Sequence, residues 1–211
     1  MPSHPRPPRK TSDGSRDARR QPRQRRARQT VEAIVEAAAR VLIERGPAGL
    51  TTNHIAERAG VSIGSLYQYF PNKGAILAAL QKQEMTTTLG STAAILNDVE
   101  LEPIERVRAA IHHFFQSEAQ ESELRRALVR AEVFFESDPS NRASRAMAIE
   151  QIHSFLVANG LHDSQDRFFA DLLMTTTASV AEAVTSRGEA VDLSRWADAV
   201  FAMVTKGLGR D

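Results

Sequence analysis

From Ala27 onward, apolar residues recur with the spacing of an α-helix, and no segment sustains the alternation of a β-strand. The first apolar stripe consists of Ile34, Val35, Ala38, Val41 and Leu42. Gly46 and Pro47 are expected to end this first helix. The sequence therefore predicts an all-α protein, with helices at about 27–45, 52–59, 62–70, 73–97, 103–120, 122–137, 141–159, 164–187 and 192–208.

The helical pattern divides the chain into parts of different character. Two short helices lie on either side of Gly60, and Pro71 and Asn72 separate them from a long helix. We expect a three-helix head over residues 27–72, and a connecting helix that leads into a helical body over residues 73–211. Residues 1–26 are rich in Pro, Arg, Ser and Gln, so we expect them to be disordered when free.

Charge is distributed unevenly along the chain. Residues 1–28 hold ten Lys and Arg against two Asp, a local net charge of +8, whereas the remainder has a net charge of −7. A basic arm on an acidic body suggests contact with a polyanion such as nucleic acid. The alternative is a passive, solubilising leader.

Several classes of protein find no support in the sequence. The chain has no cysteine, which excludes disulfides and thiolate metal sites. It has no apolar run of membrane-spanning length and no apolar signal segment, so we expect a cytoplasmic protein without a membrane partner. We find no catalytic, metal-binding or cofactor-binding motif, and we therefore expect neither enzymatic activity nor a cofactor.

The third short helix, "SIGSLYQYF" (residues 62–70), has two distinct faces. At 100° per residue, Leu66, Phe70 and Ser62 fall within about 40° of one direction and should face the core. Gly64 and Gln68 point the opposite way. Two short helices joined by a glycine turn form the helix-turn-helix unit that binds the major groove of DNA.

The outer face of this helix carries chemistry suited to DNA. Gly64 lets the backbone approach the groove floor closely, and the Gln68 amide offers the donor and acceptor that adenine requires. Ile63 could contact a thymine methyl group or simply pack. The hydroxyls of Ser65, Tyr67 and Tyr69 can donate to phosphates. The alternative is that the tyrosines merely cover the head's core.

The segment "LTTNHIAERAGVSIGSLYQYFPNKGAIL" resembles the N-terminal DNA-binding signature of the TetR family of bacterial repressors, over residues 29–80. This resemblance implies a homodimer that binds a double-stranded DNA operator. It also implies phosphate contacts by Thr52 and Lys73 and DNA-backbone contacts by Tyr67 and Tyr69. The positions that meet bases in the family correspond to Asn53, Ile63, Gly64 and Gln68.

The resemblance places the dimer interface on the last two helices. Both helices carry broad apolar faces that could pack against a second subunit. The candidate interface residues are Phe168, Leu172, Thr176, Val180, Trp196, Val200 and Val204. The alternative is that these stripes pack only within their own chain.

The centre of the body combines aromatic and polar residues in a way that suggests a small-molecule pocket. The candidate ligand-binding residues are Phe114, Phe115, Phe134, Phe155, His113, His153 and Thr175. The alternative is that they are ordinary core residues. By resemblance we expect a repressor that a small apolar or cationic effector releases from its operator. The other reading is a ligand-independent DNA-binding protein of architectural or cell-division type, and an activator has the same DNA-binding chemistry.

Overall fold

The computed structural model describes residues 14–134, 139–162, 165–187 and 191–207. Every regular element in these ranges is helical, which confirms the all-α prediction. The α-helices are α1 (Gly14–Gly49), α2 (Thr52–Ala59), α3 (Ile63–Tyr69), α4 (Lys73–Leu96), α5 (Pro103–Gln120), α6 (Ser122–Ala131), α7 (Pro139–Ala158), α8 (Phe168–Thr185) and α9 (Leu193–Gly207). A short 3₁₀ helix, Glu132–Phe134, follows α6.

The first helix is longer than the sequence predicts. It begins at Gly14 instead of near residue 27. Residues 14–26 of the basic arm, which we expected to be disordered, are therefore helical, and residues 1–13 lie outside the described ranges. Extending a helix that has already formed costs little, and Arg, Gln and Ala are favourable helix formers. At the other end, Gly46 adopts a positive φ of 67° and interrupts the helix directly before Pro47, where the sequence predicts a stop.

Side-chain caps fix the ends of the short helices in the head. Thr51 accepts a hydrogen bond from the His54 amide at 3.2 Å and caps α2. Ser62 accepts from the Ser65 amide at 3.0 Å and caps α3. Between them, Gly60 ends α2 in the left-handed conformation, with φ 67° and ψ 29°, which a side chain would strain.

Two helices of the body are shorter than predicted. The α-helix expected over 122–137 ends at Ala131 and continues as the 3₁₀ turn. In that turn Val133 is 84% exposed, so little packing stabilises a longer α-helix there. Residues 135–138 lie outside the described ranges. The helix expected from residue 164 begins at Phe168. There the Asp166 carboxylate accepts the Phe168 amide at 3.0 Å, a local bond that competes with helix formation upstream.

The core of the head extends across the predicted domain boundary. Fully buried residues include Ile34 and Leu42 from α1, Ile55 from α2 and Leu66 from α3. Helix α6 from the body adds Leu124, Ala127, Leu128 and Ala131 to the same apolar cluster. The boundary expected at residue 72 therefore separates segments of sequence that share one core.

The body has a second apolar core, and polar contacts tie its helices together. The apolar cluster includes Val107, Ile111, Phe115, Leu156, Leu173, Ala197, Val200 and Val204. On α5, the buried Glu118 accepts from Arg125 at 2.6 Å; burial raises the pKa of Glu118, and Arg125 opposes this rise. None of the helices in the described ranges combines the length and apolar character needed to cross a bilayer.

Candidate nucleic-acid interface and internal cavity

Helix α3 presents the two faces that the sequence predicts. Leu66 is fully buried and Phe70 is 8% exposed, so these residues anchor the helix on the head's core. Gly64 and Gln68 are exposed. A Cβ added at Gly64 would lie 3.9 Å from its nearest neighbour, the Ser62 hydroxyl, so the glycine is not required by packing within the chain. The outer face is therefore free for close approach by another molecule.

Ser62 does not face the core, contrary to the prediction from helical geometry. It lies before the first helical residue, so the angular spacing of a helix does not apply to it. Its side chain is exposed and turns back to cap α3, and its hydroxyl also lies 2.9 Å from that of Ser65. The Ser65 hydroxyl is thus already in a local hydrogen bond.

Hydroxyl groups from α2 and α3 meet at the surface of the head. Thr52 Oγ1 lies 3.1 Å from the Tyr67 hydroxyl, which brings together two residues expected to contact DNA phosphates. Tyr67 is 51% exposed, Tyr69 is 37% exposed, and Asn53 lies exposed on α2. One of these hydroxyls donates to the other, so the accepting hydroxyl keeps its own O–H free to donate to a phosphate oxygen.

His54, beside Asn53, has an internal role. Its Nδ1 lies 2.9 Å from the Gly49 carbonyl oxygen and therefore donates, which leaves Nε2 to accept from Arg45 at 3.1 Å. Both ring nitrogens are used in joining α2 to the end of α1. The histidine thus stabilises the start of the helix-turn-helix unit.

An apolar cavity of about 80 Å³ lies in the body between α4, α5, α7 and α8. Its walls include Leu89, Ile111, Phe114, Phe155 and Met174. The hydroxyl of Thr177, a residue that is 7% exposed, is buried without a hydrogen-bond partner among the described residues. A buried, unpaired hydroxyl costs about 1–3 kcal/mol, which a bound hydrogen-bonding group would relieve.

A larger and more polar cleft of about 520 Å³ adjoins this cavity. The two spaces share Leu89, Thr92, Leu96, Ile152 and Phe155 in their walls. The two charged residues of the cleft each have a partner within the chain. Glu150 pairs with Arg167, and Arg106 donates its Nε to the Leu101 carbonyl at 2.8 Å. The remaining polar lining consists of neutral side chains, among them Asn97 and Gln151.

The structure distributes the predicted ligand-binding residues over different places. Phe114 and Phe155 line the apolar cavity. Phe115 is fully buried in the body core, and Thr175 is exposed, where its hydroxyl accepts from Arg145 at 2.7 Å. The remaining three candidates, His113, His153 and Phe134, do not line this cavity either. The stripe of apolar residues on α8 would have pointed to Thr177 and Met174, which the sequence prediction omitted.

The candidate dimer residues are divided between an exposed and a buried set. Phe168 is 70% exposed, Leu172 46% and Trp196 36%. Thr176 and Val180 are partly buried. Val200 and Val204 are buried in the body core of their own chain, because this side of α9 packs on α5 and α8. These two valines are therefore not available to a partner, and the exposed residues of α8 and α9 define the candidate interface.

The chain thus combines an all-helical head, which contains a capped helix-turn-helix unit, with a helical body that holds an apolar cavity. Residues 34–80 match the model of the "Bacterial regulatory proteins, tetR family". The transcriptional regulator TtgR of Pseudomonas putida is 32% identical over 100 residues, which cover 47% of this chain and 48% of that protein. Residues 34–80 are thus similar to the DNA-binding segment of tetR-family proteins.

Solved structures of low sequence identity share the fold. The regulator FadR from Bacillus subtilis, in complex with stearoyl-CoA, superposes with a TM-score of 0.65 at 20% identity, covering 83% of this chain and 98% of that one. A complex of triclosan with SmeT, a repressor from Stenotrophomonas maltophilia, gives 0.63 at 22% identity, covering 84% and 90%. The chain spans about half the length of the curated relatives that it matches.

Proposed function

We propose that this protein is a sequence-specific DNA-binding transcriptional repressor that acts as a homodimer and is released from its operator by a small apolar ligand. The observation that carries the proposal is the outer face of α3, where Gly64 and Gln68 are exposed while Leu66 and Phe70 are buried. Such a helix can enter the major groove without disturbing the fold. The exposed Thr52–Tyr67 pair beside it suits a phosphate.

Selection of duplexes from a random-sequence pool tests the proposal. A dimer should select a palindrome whose half-sites are separated by about 34–36 Å or a multiple of that distance. Recovery of no preferred sequence would contradict sequence-specific binding. It would favour instead the second reading, a ligand-independent architectural protein.

Removal of one phosphate-binding cation should be visible in the salt dependence. For Lys73→Ala, we expect weaker binding to every duplex and a salt slope smaller by about 1.8, because each of the two heads of the proposed dimer releases one fewer counterion. The measurement is the affinity for the selected duplex at several salt concentrations. Lys206→Ala, in the last turn of α9, is the matched control and should keep the slope. An unchanged slope for Lys73→Ala would exclude a phosphate contact.

The cavity supports an apolar ligand that carries one or a few hydrogen-bonding groups. The apolar walls would hold the main part of such a molecule, while Thr177 and the neutral side chains of the cleft would meet its polar groups. The relatives FadR and SmeT have been solved with stearoyl-CoA and triclosan respectively. The apolar cavity is small, so a larger ligand would also occupy the cleft.

Thr177→Val provides a test of the cavity. Because the hydroxyl has no partner, we expect the free energy of unfolding to rise by about 1 kcal/mol, measured by chemical denaturation. Ligands found by thermal-shift screening that carry a hydrogen-bonding group should bind about 10-fold more weakly to the variant. Thr185→Val is the control: its hydroxyl donates to the Ala181 carbonyl at 2.9 Å, so this variant should gain no stability. A destabilised Thr177→Val protein would contradict the assignment.

A further inference from the structure

The side chain of Lys73 rests on an aromatic ring from the body. Its Nζ lies 4.1 Å from the centroid of the Phe134 ring, within the range of a cation–π interaction. Lys73 is the first residue of α4, and Phe134 is the last residue of the 3₁₀ turn after α6. The contact therefore joins the edge of the head to an element of the body.

The surroundings of Lys73 offer its positive charge little stabilisation besides the Phe134 ring. A cation gains nothing from the helix dipole at the first residue of a helix, and Lys73 is partly buried. Within the described ranges it forms no ion pair with a carboxylate. A carboxylate would neutralise the ammonium, whereas an aromatic face attracts it from one side and leaves its charge available on the other.

We propose that Phe134 is a positioning residue for DNA binding: its ring holds the Lys73 ammonium in place for a DNA phosphate. This inference rests on the proposed DNA-binding function and adds a residue outside the helix-turn-helix unit to it. Phe134 itself does not contact DNA in this proposal. It acts by restricting a long, flexible side chain that would otherwise lose rotamer freedom on binding.

The position of the ring is set by several helices. Phe134 ends the 3₁₀ turn that directly follows α6, and the apolar residues of α6 pack in the head core. From α6, Arg125 donates to Thr88 on α4 at 3.0 Å and to Glu118 on α5 at 2.6 Å. Arg126 donates to the Thr185 carbonyl on α8 at 3.3 Å. The arrangement of the body therefore determines where Phe134, and with it Lys73, is held.

Two variants of Phe134 distinguish the effect of its aromatic ring from the effect of an apolar side chain alone. Phe134→Leu keeps an apolar side chain without the ring, and Phe134→Trp keeps a ring that binds cations more strongly. We expect Phe134→Leu to weaken binding to the selected duplex by about 2–5-fold and to lower the salt slope toward that of Lys73→Ala. Phe134→Trp should bind at least as well as the wild type.

A double-mutant cycle tests whether the two residues act together. If Phe134 acts through Lys73, Phe134→Leu should have no further effect on DNA affinity in the Lys73→Ala protein. In the free protein, the ring should shift the NMR resonances of the Lys73 ε-methylene upfield, and Phe134→Leu should abolish this shift. Because Phe134 is 43% exposed, the unfolding temperature of the variants should stay close to that of the wild type.

The outcomes distinguish this inference from the proposed function. Additive effects in the cycle, an unshifted ε-methylene, or wild-type affinity and salt slope in Phe134→Leu would each overturn the positioning role while the wild type still binds DNA. A wild-type protein that binds no duplex would overturn the proposed function itself and this inference with it.

Discussion

Replacing Gly64 with leucine is expected to abolish sequence-specific DNA binding while leaving the protein folded. The added side chain would project from the exposed face of α3, where only the Ser62 hydroxyl lies within 4 Å. It would hold the helix away from the groove floor and lengthen the contacts made by Gln68. Since a bidentate base contact contributes about 1–3 kcal/mol and the proposed dimer has two heads, we expect affinity to fall about 100-fold or more.

The control for this substitution is Gly90→Leu on α4. Gly90 is also exposed, and a Cβ there has no neighbour within 4 Å. Both variants replace glycine with a better helix former, so both should be as stable as the wild type or slightly more stable. Only Gly64→Leu should lose DNA binding in a mobility-shift titration. Normal binding by this variant would show that α3 does not enter the groove.

The second large effect is expected from Leu172→Asp, which should convert the proposed dimer into a monomer. Leu172 is 46% exposed on α8, near the more exposed Phe168. In a two-fold interface the substitution would bury two unpaired carboxylates, each at a cost of several kcal/mol. Light scattering after size exclusion should give the monomer mass. With the two heads no longer linked, affinity for a palindromic duplex should fall by at least about 100-fold.

Val99→Asp is the matched control for the dimer. Val99 is 77% exposed in the connection between α4 and α5, so an aspartate there should change neither the mass nor the DNA affinity. If Leu172→Asp remained a dimer, the exposed residues of α8 would not form the subunit interface.

Sequence reasoning predicted the elements well because their signals are local. The spacing of apolar residues, the turn at Gly60 and the break at Gly46 each act within a few residues. The orientation of α3 followed from the same periodicity, since Leu66 and Phe70 lie on one side. The prediction that Ser62 faces the core was wrong, because Ser62 caps α3 and is not part of the helix.

Sequence reasoning was less successful in predicting what each side chain contacts, because helical periodicity shows which face is apolar but not which element packs against that face. Val200 and Val204 lie on an apolar stripe, and only the packing of α9 on α5 and α8 shows that this stripe is covered within the chain. A ligand contact by Phe134 stays a prediction; the structure places its ring beside Lys73, a residue far away in the sequence. Such contacts depend on tertiary structure, which no short segment encodes.

The contribution of α6 to the core of the head limits how far the parts of this protein can be exchanged. A head cut out at residue 72 would expose the apolar surface that Leu124, Ala127, Leu128 and Ala131 cover, and it would be unstable alone. A chimera that joins this head to another regulator's body must therefore preserve a compatible α6. A substitution in α6 therefore acts on the head and on the body together, through the core that they share.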